Sequence, residues 1–180
     1  KKYNIPYILT THTELRYFEG IHSRKMALSI LKNAYRITPL NYRNMHYFLE
    51  AGIHNAEVIP LGIDPYFFKP FTGKKQEEFR IITLGELIRL KNIDKVLKAL
   101  FTLKENYSFH YTVIGQGPEE ESLKRLTKEL NLQDRVDFLG FIQHDQLPRI
   151  MADHDLFILP SFPETFGRVY FEAMAMGLPV

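Results

Sequence analysis

The chain has 180 residues, of which 45% are apolar and 24% charged, with a net charge of +2 and no Cys. Its 14 Phe and 10 Tyr supply enough apolar surface to offset the entropy of ordering, which excludes intrinsic disorder, and no apolar run approaches a membrane span. Without Cys, disulfide scaffolds, thiolate metal sites and cysteine nucleophiles are excluded, and the near-neutral balance carries no signature of a nucleic-acid partner.

Pro6–Thr10 reads as a strand, Ser23 to Asn33 as a helix, Tyr35–Thr38 as a strand, Asn41 to Glu50 as a helix and Ala56–Ile59 as a strand. This is the alternation of an α/β domain whose first strands are not in the sequence. Residues 1–75 hold 11 Lys or Arg against 5 Asp or Glu, whereas the other 105 hold 12 against 16. Two units are therefore expected to meet near residue 75. A solvated face is the preferred reading of the basic front, and peripheral contact with an acidic membrane surface the alternative.

Phe67 to Gln76 has the Pro, Gly and polar content of a linker. After it, Phe79–Gly85 reads as a strand, and Ile93–Leu103 carries Ile93, Val96, Leu97, Leu100 and Leu103 at helical spacing. His110–Gly115 is a second strand, and Glu119–Leu130 a helix with acids in its first turn and bases later, as the helix dipole favours. Val136–Gly140 is a third strand, Asp145–Ala152 a helix, Asp155–Leu159 a fourth strand and Phe166–Met176 a last helix, stopped by Gly177 and Pro179. Apolar strands alternating with helices predict a Rossmann-like parallel sheet covered on both faces. The chain begins at Lys1 and ends at what reads as the start of another strand. A piece of a longer protein, inactive alone, is the expectation.

Ligands of open parallel sheets bind beyond the carboxyl ends of the strands, which directs attention to three loops. Gly115-Gln116-Gly117-Pro118 invites a dinucleotide reading. However, Glu120 stands where the Gly-x-Gly-x-x-Gly fingerprint needs a small residue, and Glu119 and Glu121 flank it, so a pyrophosphate would be repelled. A glycine turn open to another ligand remains. Gly85-Glu86-Leu87 is the first of the three loops along the chain, and the Gly115 turn is the second. In the third, Pro160 to Gly167, the helix that follows starts without an acid beyond Glu164, so its first N–H groups can receive an anion, and Gly167 removes a side chain from their path. Glu164 and Glu172 lie eight residues apart, roughly 12 Å if a helix runs between them, and each carboxylate can accept sugar hydroxyls. Taken as isolated glutamates, Glu164 reads more simply as an acid of the N-cap region and Glu172 as a solvated helix residue. Asp153-His154-Asp155, the one Asp-x-Asp, is read as a solvated turn and no metal is expected.

Pro160-Ser161-x-x-Glu164-Thr165-Phe166-Gly167-x-x-x-x-Glu172-Ala173-Met174-Ala175-x-Gly177-x-Pro179-Val180 resembles the Glu-x7-Glu motif of retaining GT-B glycosyltransferases of family GT4. Val58-Ile59-Pro60-Leu61-Gly62-Ile63-Asp64, Gly85-Glu86-Leu87 with Lys91-Asn92, Ile114 to Pro118 and Arg135 to Gly140 resemble further family segments in the same order. The resemblance implies a GT-B architecture, with residues 1–64 from the acceptor domain, 65–78 a linker and 79–180 most of the donor domain. It implies sugar transfer with retention from a UDP-, GDP- or ADP-sugar to a hydroxyl acceptor, with no other cofactor, in the cytoplasm or at the inner membrane face. Glu172 would bind the ribose, Glu164 the donor sugar, and the N–H groups of Thr165, Phe166 and Gly167 the distal phosphate. Lys91 would neutralise the diphosphate, the loops at Gly85 and Gly115 would border the donor, and the backbone of Phe141 and Ile142 would border the base. His12 would contact the donor sugar from the acceptor side. The family usually carries Arg after the first-loop glycine where this chain has Glu86, and Arg89 is the expected substitute. A sugar-nucleotide epimerase of the same architecture and a non-catalytic nucleotide-sugar-binding protein stay open as alternatives.

Overall fold

The computed structural model describes residues 6–11, 21–70 and 78–180, and the chain divides into two compact units, residues 1–62 and 63–180. No helix among the described residues is long and apolar enough to cross a membrane.

In the first unit, β1 (Ile8–Thr11) and β2 (Arg36–Pro39) pair in parallel, flanked in sequence by α1 (Ile21–Lys32) and α2 (Tyr42–Glu50). Asn41 caps α2 by accepting the Asn44 N–H at 2.8 Å, which satisfies one of the orphan donors of the first turn. Leu31, Ala34, Ile37, Phe48, Ile53 and Ala56 form its buried core. The predicted strand at 56–59 is a single parallel bridge, Ile37 to Ala56, with one further bond from the Ile59 N–H to the Pro39 carbonyl.

The second unit is a four-stranded parallel sheet in the order β5-β4-β3-β6, built from β3 (Phe79–Leu84), β4 (Phe109–Ile114), β5 (Val136–Gly140) and β6 (Leu156–Phe157). Its helices are α3 (Ile93–Leu103), α4 (Glu120–Glu129), α5 (Leu147–Met151) and α6 (Arg168–Ala175). Residues 81–84 and 111–114 are buried without alternation, as strands covered on both faces must be, whereas β5 alternates. Ile93, Val96, Leu97 and Leu100 of α3 face this core, while Leu103 is exposed at the helix end. Phe68 is buried in the same core, and residues 71–77 of the predicted linker lie outside the described residues.

Two polar devices lock the interior. The Tyr111 hydroxyl on β4 lies 2.7 Å from the Thr83 hydroxyl on β3, which in turn donates to the Ile158 carbonyl beyond β6, so one buried chain of hydrogen bonds ties three strands. Burial pushes the Tyr111 phenol well above its ordinary value, and it stays a donor. His154 corrects the reading of Asp153-His154-Asp155 as a solvated turn. The two aspartates are exposed, but the His154 ring is buried, its Nδ1–H donating to the Ile150 carbonyl at 2.8 Å and its Nε2 lying 2.9 Å from the Thr112 hydroxyl. Burial pushes its pKa below the ordinary value. The apolar face of the sheet outcompetes solvent for an imidazole whose two nitrogens are both satisfied.

Thr83→Val, which leaves the buried Tyr111 hydroxyl without its acceptor, is expected to cost about 2 to 3 kcal/mol, and Tyr111→Phe, which removes a donor cleanly, about 1 kcal/mol. Denaturant unfolding of both variants of the full-length protein checks the order.

Candidate functional site

The carboxyl ends of β3 and β4 open into a cleft of about 530 Å³ lined by Leu84, Gly85, Glu86, Lys91, Ile114, Gly115, Gln116, Phe141, Ile142, Leu147, Val169 and Glu172. Its floor is two loops packed backbone on backbone. The Gly85 N–H donates to the Ile114 carbonyl at 3.0 Å, the Leu87 N–H to the Gln116 carbonyl at 2.9 Å and the Glu119 N–H to the Leu87 carbonyl at 2.9 Å. A Cβ on Gly115, whose φ is +136°, would stand 1.9 Å from the Gly85 oxygen, and one on Gly117 would stand 2.5 Å from the Leu87 oxygen. The glycine turn expected to admit a ligand therefore admits the neighbouring loop at Gly117, and at Gly115 it does so while also lining the cleft.

Lys91 ends the short 3-10 turn Arg89–Lys91, which α3 follows through Asn92. Asn92 adopts a left-handed conformation, φ 53°, which asparagine tolerates better than most residues, and its Nδ2 donates to the Pro160 carbonyl at 2.7 Å. With the Phe162 N–H donating to the Leu90 carbonyl at 2.9 Å, the loop after β6 is stitched to the loop after β3. That seam brings Glu164 to Lys91, with Nζ and Oε2 2.8 Å apart and both side chains largely buried. The Ser161 hydroxyl donates to the same oxygen at 2.9 Å, and the Thr165 N–H to Oε1 at 3.0 Å. Burial works to raise the Glu164 pKa, but the bonds from Lys91 and Ser161, the Lys91 charge and the Thr165 N–H outweigh it and hold the carboxyl below its ordinary value.

The second acid of the pair is placed differently. Glu172, on α6, is 4% exposed; its Oε1 is hydrogen-bonded to His144 Nε2 at 3.2 Å and forms an ion pair with Arg168 Nε at 3.0 Å. The estimate of 12 Å between the two glutamates is corrected by the start of α6. Gly167 caps the helix in a left-handed conformation, φ 68°, where a Cβ would meet the Tyr170 ring at 2.5 Å, so Glu164 lies in the turn outside the helix.

Of the residues singled out from sequence, the cleft gathers Gly85, Lys91, Gly115, Phe141, Ile142 and Glu172 along its lining, and Glu164 reaches it through Lys91. Thr165, Phe166 and Gly167 form the turn into α6, outside that lining, and the Thr165 N–H is bonded to Glu164 rather than open to an anion. Arg89 does not replace the absent family arginine at the cleft. It is exposed, points to Glu119 at 3.9 Å, and lines a separate groove between α3 and α4. Lys91 is left as the sole cation among the described lining residues, facing Glu86 and Glu172. His12 lies outside the described residues. The sequence assigns no role to Arg168 or His144, and Ser161 enters it only as part of the motif, without its bond to Glu164. The four-residue spacing of Arg168 to Glu172 on one helix could have revealed the first, and no local pattern points to His144.

Residues 67–180 match the family described as "Glycosyl transferases group 1". The amylovoran biosynthesis glycosyltransferase AmsK of Erwinia amylovora is 31% identical over 154 residues, 80% of this chain and 38% of that protein. The sucrose-phosphate synthase of Thermosynechococcus elongatus has the same fold, with a TM-score of 0.86, 24% identity and coverage of 99% of this chain and 50% of that one. Anabaena Alr3699/HepE, solved with UDP and glucose, matches 97% of this chain and 52% of its own at a TM-score of 0.80 and 25% identity. The chain spans about a third of the curated relatives it matches and half of these structures. It belongs to the group 1 glycosyl transferases and has the parallel-sheet fold of GT-B enzymes.

The folded-state pKa of Glu164 lies below its unfolded value, so the stability contributed by its contacts is complete above the ordinary value of 4.5 and lost as pH falls through the lower folded value. The difference in unfolding free energy between the wild type and Glu164→Gln is accordingly expected to shrink between about pH 7 and about pH 3, as measured by denaturant titration at each pH.

Proposed function

We propose that this group 1 glycosyltransferase moves a sugar from a nucleoside-diphosphate sugar to a hydroxyl acceptor, with retention at the anomeric carbon. The observation that carries the reading is the cleft itself. It sits where parallel sheets bind nucleotides, and its one lining cation, Lys91, is held 2.8 Å from Glu164, while the buried carboxylate Glu172 stands at the same cleft. The complex of Alr3699/HepE with UDP and glucose lends the donor class its support.

In this reading residues 63–180 carry the donor site, and the first unit is part of an acceptor domain. Glu172 accepts the ribose hydroxyls, the backbone of Phe141 and Ile142 borders the base, and Lys91 neutralises the diphosphate as a point charge. Glu164 accepts hydroxyls of the donor sugar, the N–H groups of Phe166 and Gly167 meet the distal phosphate, and His12 is a further contact of the sugar. The bond from C1 to the phosphate oxygen breaks, the acceptor oxygen bonds C1 on the face the phosphate leaves, and the hydroxyl proton passes to the departing phosphate. Because Glu86 adds a negative charge to the cleft, diphosphate binding depends on Lys91, which must be shared with Glu164.

A panel of UDP-, GDP- and ADP-sugars offered to the full-length protein tests the assignment. Lys91→Ala is expected to lower kcat/KM by about a hundredfold or more, and Glu164→Ala and Glu172→Ala to lower turnover. Glu164→Gln is expected to lower transfer while binding the nucleoside diphosphate product at least as tightly as the wild type, since Lys91 is then released. Unchanged turnover in the two alanine variants overturns the site assignment, and a product of inverted anomeric configuration overturns retention.

A further inference from the structure

Resting on the proposed role of Glu172 as the ribose acceptor, we infer that His144 is a positioning residue which, with Phe67 behind it, fixes the Glu172 carboxylate for the nucleotide. Both of the carboxylate's partners are drawn to one atom. Arg168 Nε at 3.0 Å and His144 Nε2 at 3.2 Å meet at Oε1, and no hydrogen bond to Oε2 is formed among the described residues, while Glu172 lines the cleft. A carboxylate anchored by one oxygen presents the other in a single orientation, which is what a neighbouring pair of hydroxyls requires.

The two anchors differ in kind. Arg168 rises from the same helix one turn earlier and moves with Glu172. His144 comes from the 3-10 turn His144–Gln146 between β5 and α5, so only it fixes the carboxylate against the rest of the unit. Its ring is half-exposed and is held by two aromatics from the start of the second unit. Phe67 stacks on it with centroids 5.4 Å apart at 13°, and Phe68 meets it edge-on at 5.3 Å and 72°. Asp64 sets the turn that offers these rings, its Oδ1 accepting the N–H groups of Tyr66 at 2.8 Å and Phe67 at 3.2 Å, and buried Phe68 pins that turn to the core. The chain segment that opens the second unit thus reaches the carboxylate through one imidazole.

The test uses calorimetric binding to the full-length protein, with UDP, GDP and ADP as probes and the tightest of them compared with its 2′,3′-dideoxy analogue. His144→Phe keeps a ring for Phe67 but removes the N–H, and is expected to weaken the nucleotide about tenfold while leaving the dideoxy analogue unaffected. His144→Gln, which returns an N–H donor, is expected to recover most of that loss, and Phe67→Leu to show part of it. Equal weakening of nucleotide and analogue by His144→Phe, or no weakening of either, overturns the proposal. If that variant does not fold, a His144→Gln variant that weakens nucleotide and analogue equally, or a Phe67→Leu variant indistinguishable from the wild type, does the same. The reading beneath it fails separately: if Glu172→Ala binds the nucleotide as tightly as the wild type, or no probe binds the wild type, Glu172 is not the ribose acceptor.

Discussion

Everything at this site rests on how closely two strand ends approach. Parallel strands bring β3 and β4 side by side, but their loops meet only because Gly115 lacks the atom that would stand 1.9 Å from the Gly85 oxygen. That contact lets the Leu87 N–H and carbonyl be satisfied by the next loop, at Gln116 and Glu119. Backbone groups at a strand end that faces a cleft would otherwise need water, which a closing ligand must strip away. The loop so fixed carries the 3-10 turn that ends in Lys91.

From Lys91 the construction passes across the sheet. Asn92 and Leu90 hold the loop that follows β6, and this seam, rather than any helix, puts Glu164 beside the lysine. The pairing has an electrostatic meaning. A lone ammonium in a cleft walled by Glu86 and Glu172 would be drawn toward either acid, and a lone glutamate at 164 would resist burial. Together they are neutral and hold each other in place.

The architecture was legible because its signals are local. Glycine-terminated apolar runs became β3, β4 and β5, and the spacing from Ile93 to Leu100 became the buried face of α3. Two element bounds differ from the reading. The predicted strand 155–159 kept only Leu156 and Phe157, and α6 began two residues late because Gly167 turned left-handed under the Tyr170 ring. The acids of the Glu-x7-Glu pattern could be named in advance. Their distant partners could not be paired with them in advance, since Lys91 lies 73 residues from Glu164 and His144 lies 28 from Glu172. The glycines of the second loop were recognisable as a close approach, but what approached was backbone.

The order of strands also bears on how the second unit forms. β3 sits inside the sheet, yet its two flanks are supplied at very different distances along the chain: Thr83 finds Tyr111 after 28 residues and Ile158 only after 75. Closing the longer loop costs more entropy before it returns any contact. A folding chain can therefore build β3, β4 and α3 as an early nucleus whose central strand still has one open side. Until Ile158 arrives, the Thr83 hydroxyl has no carbonyl to receive it, and that open edge is the surface at which premature association with another chain would begin.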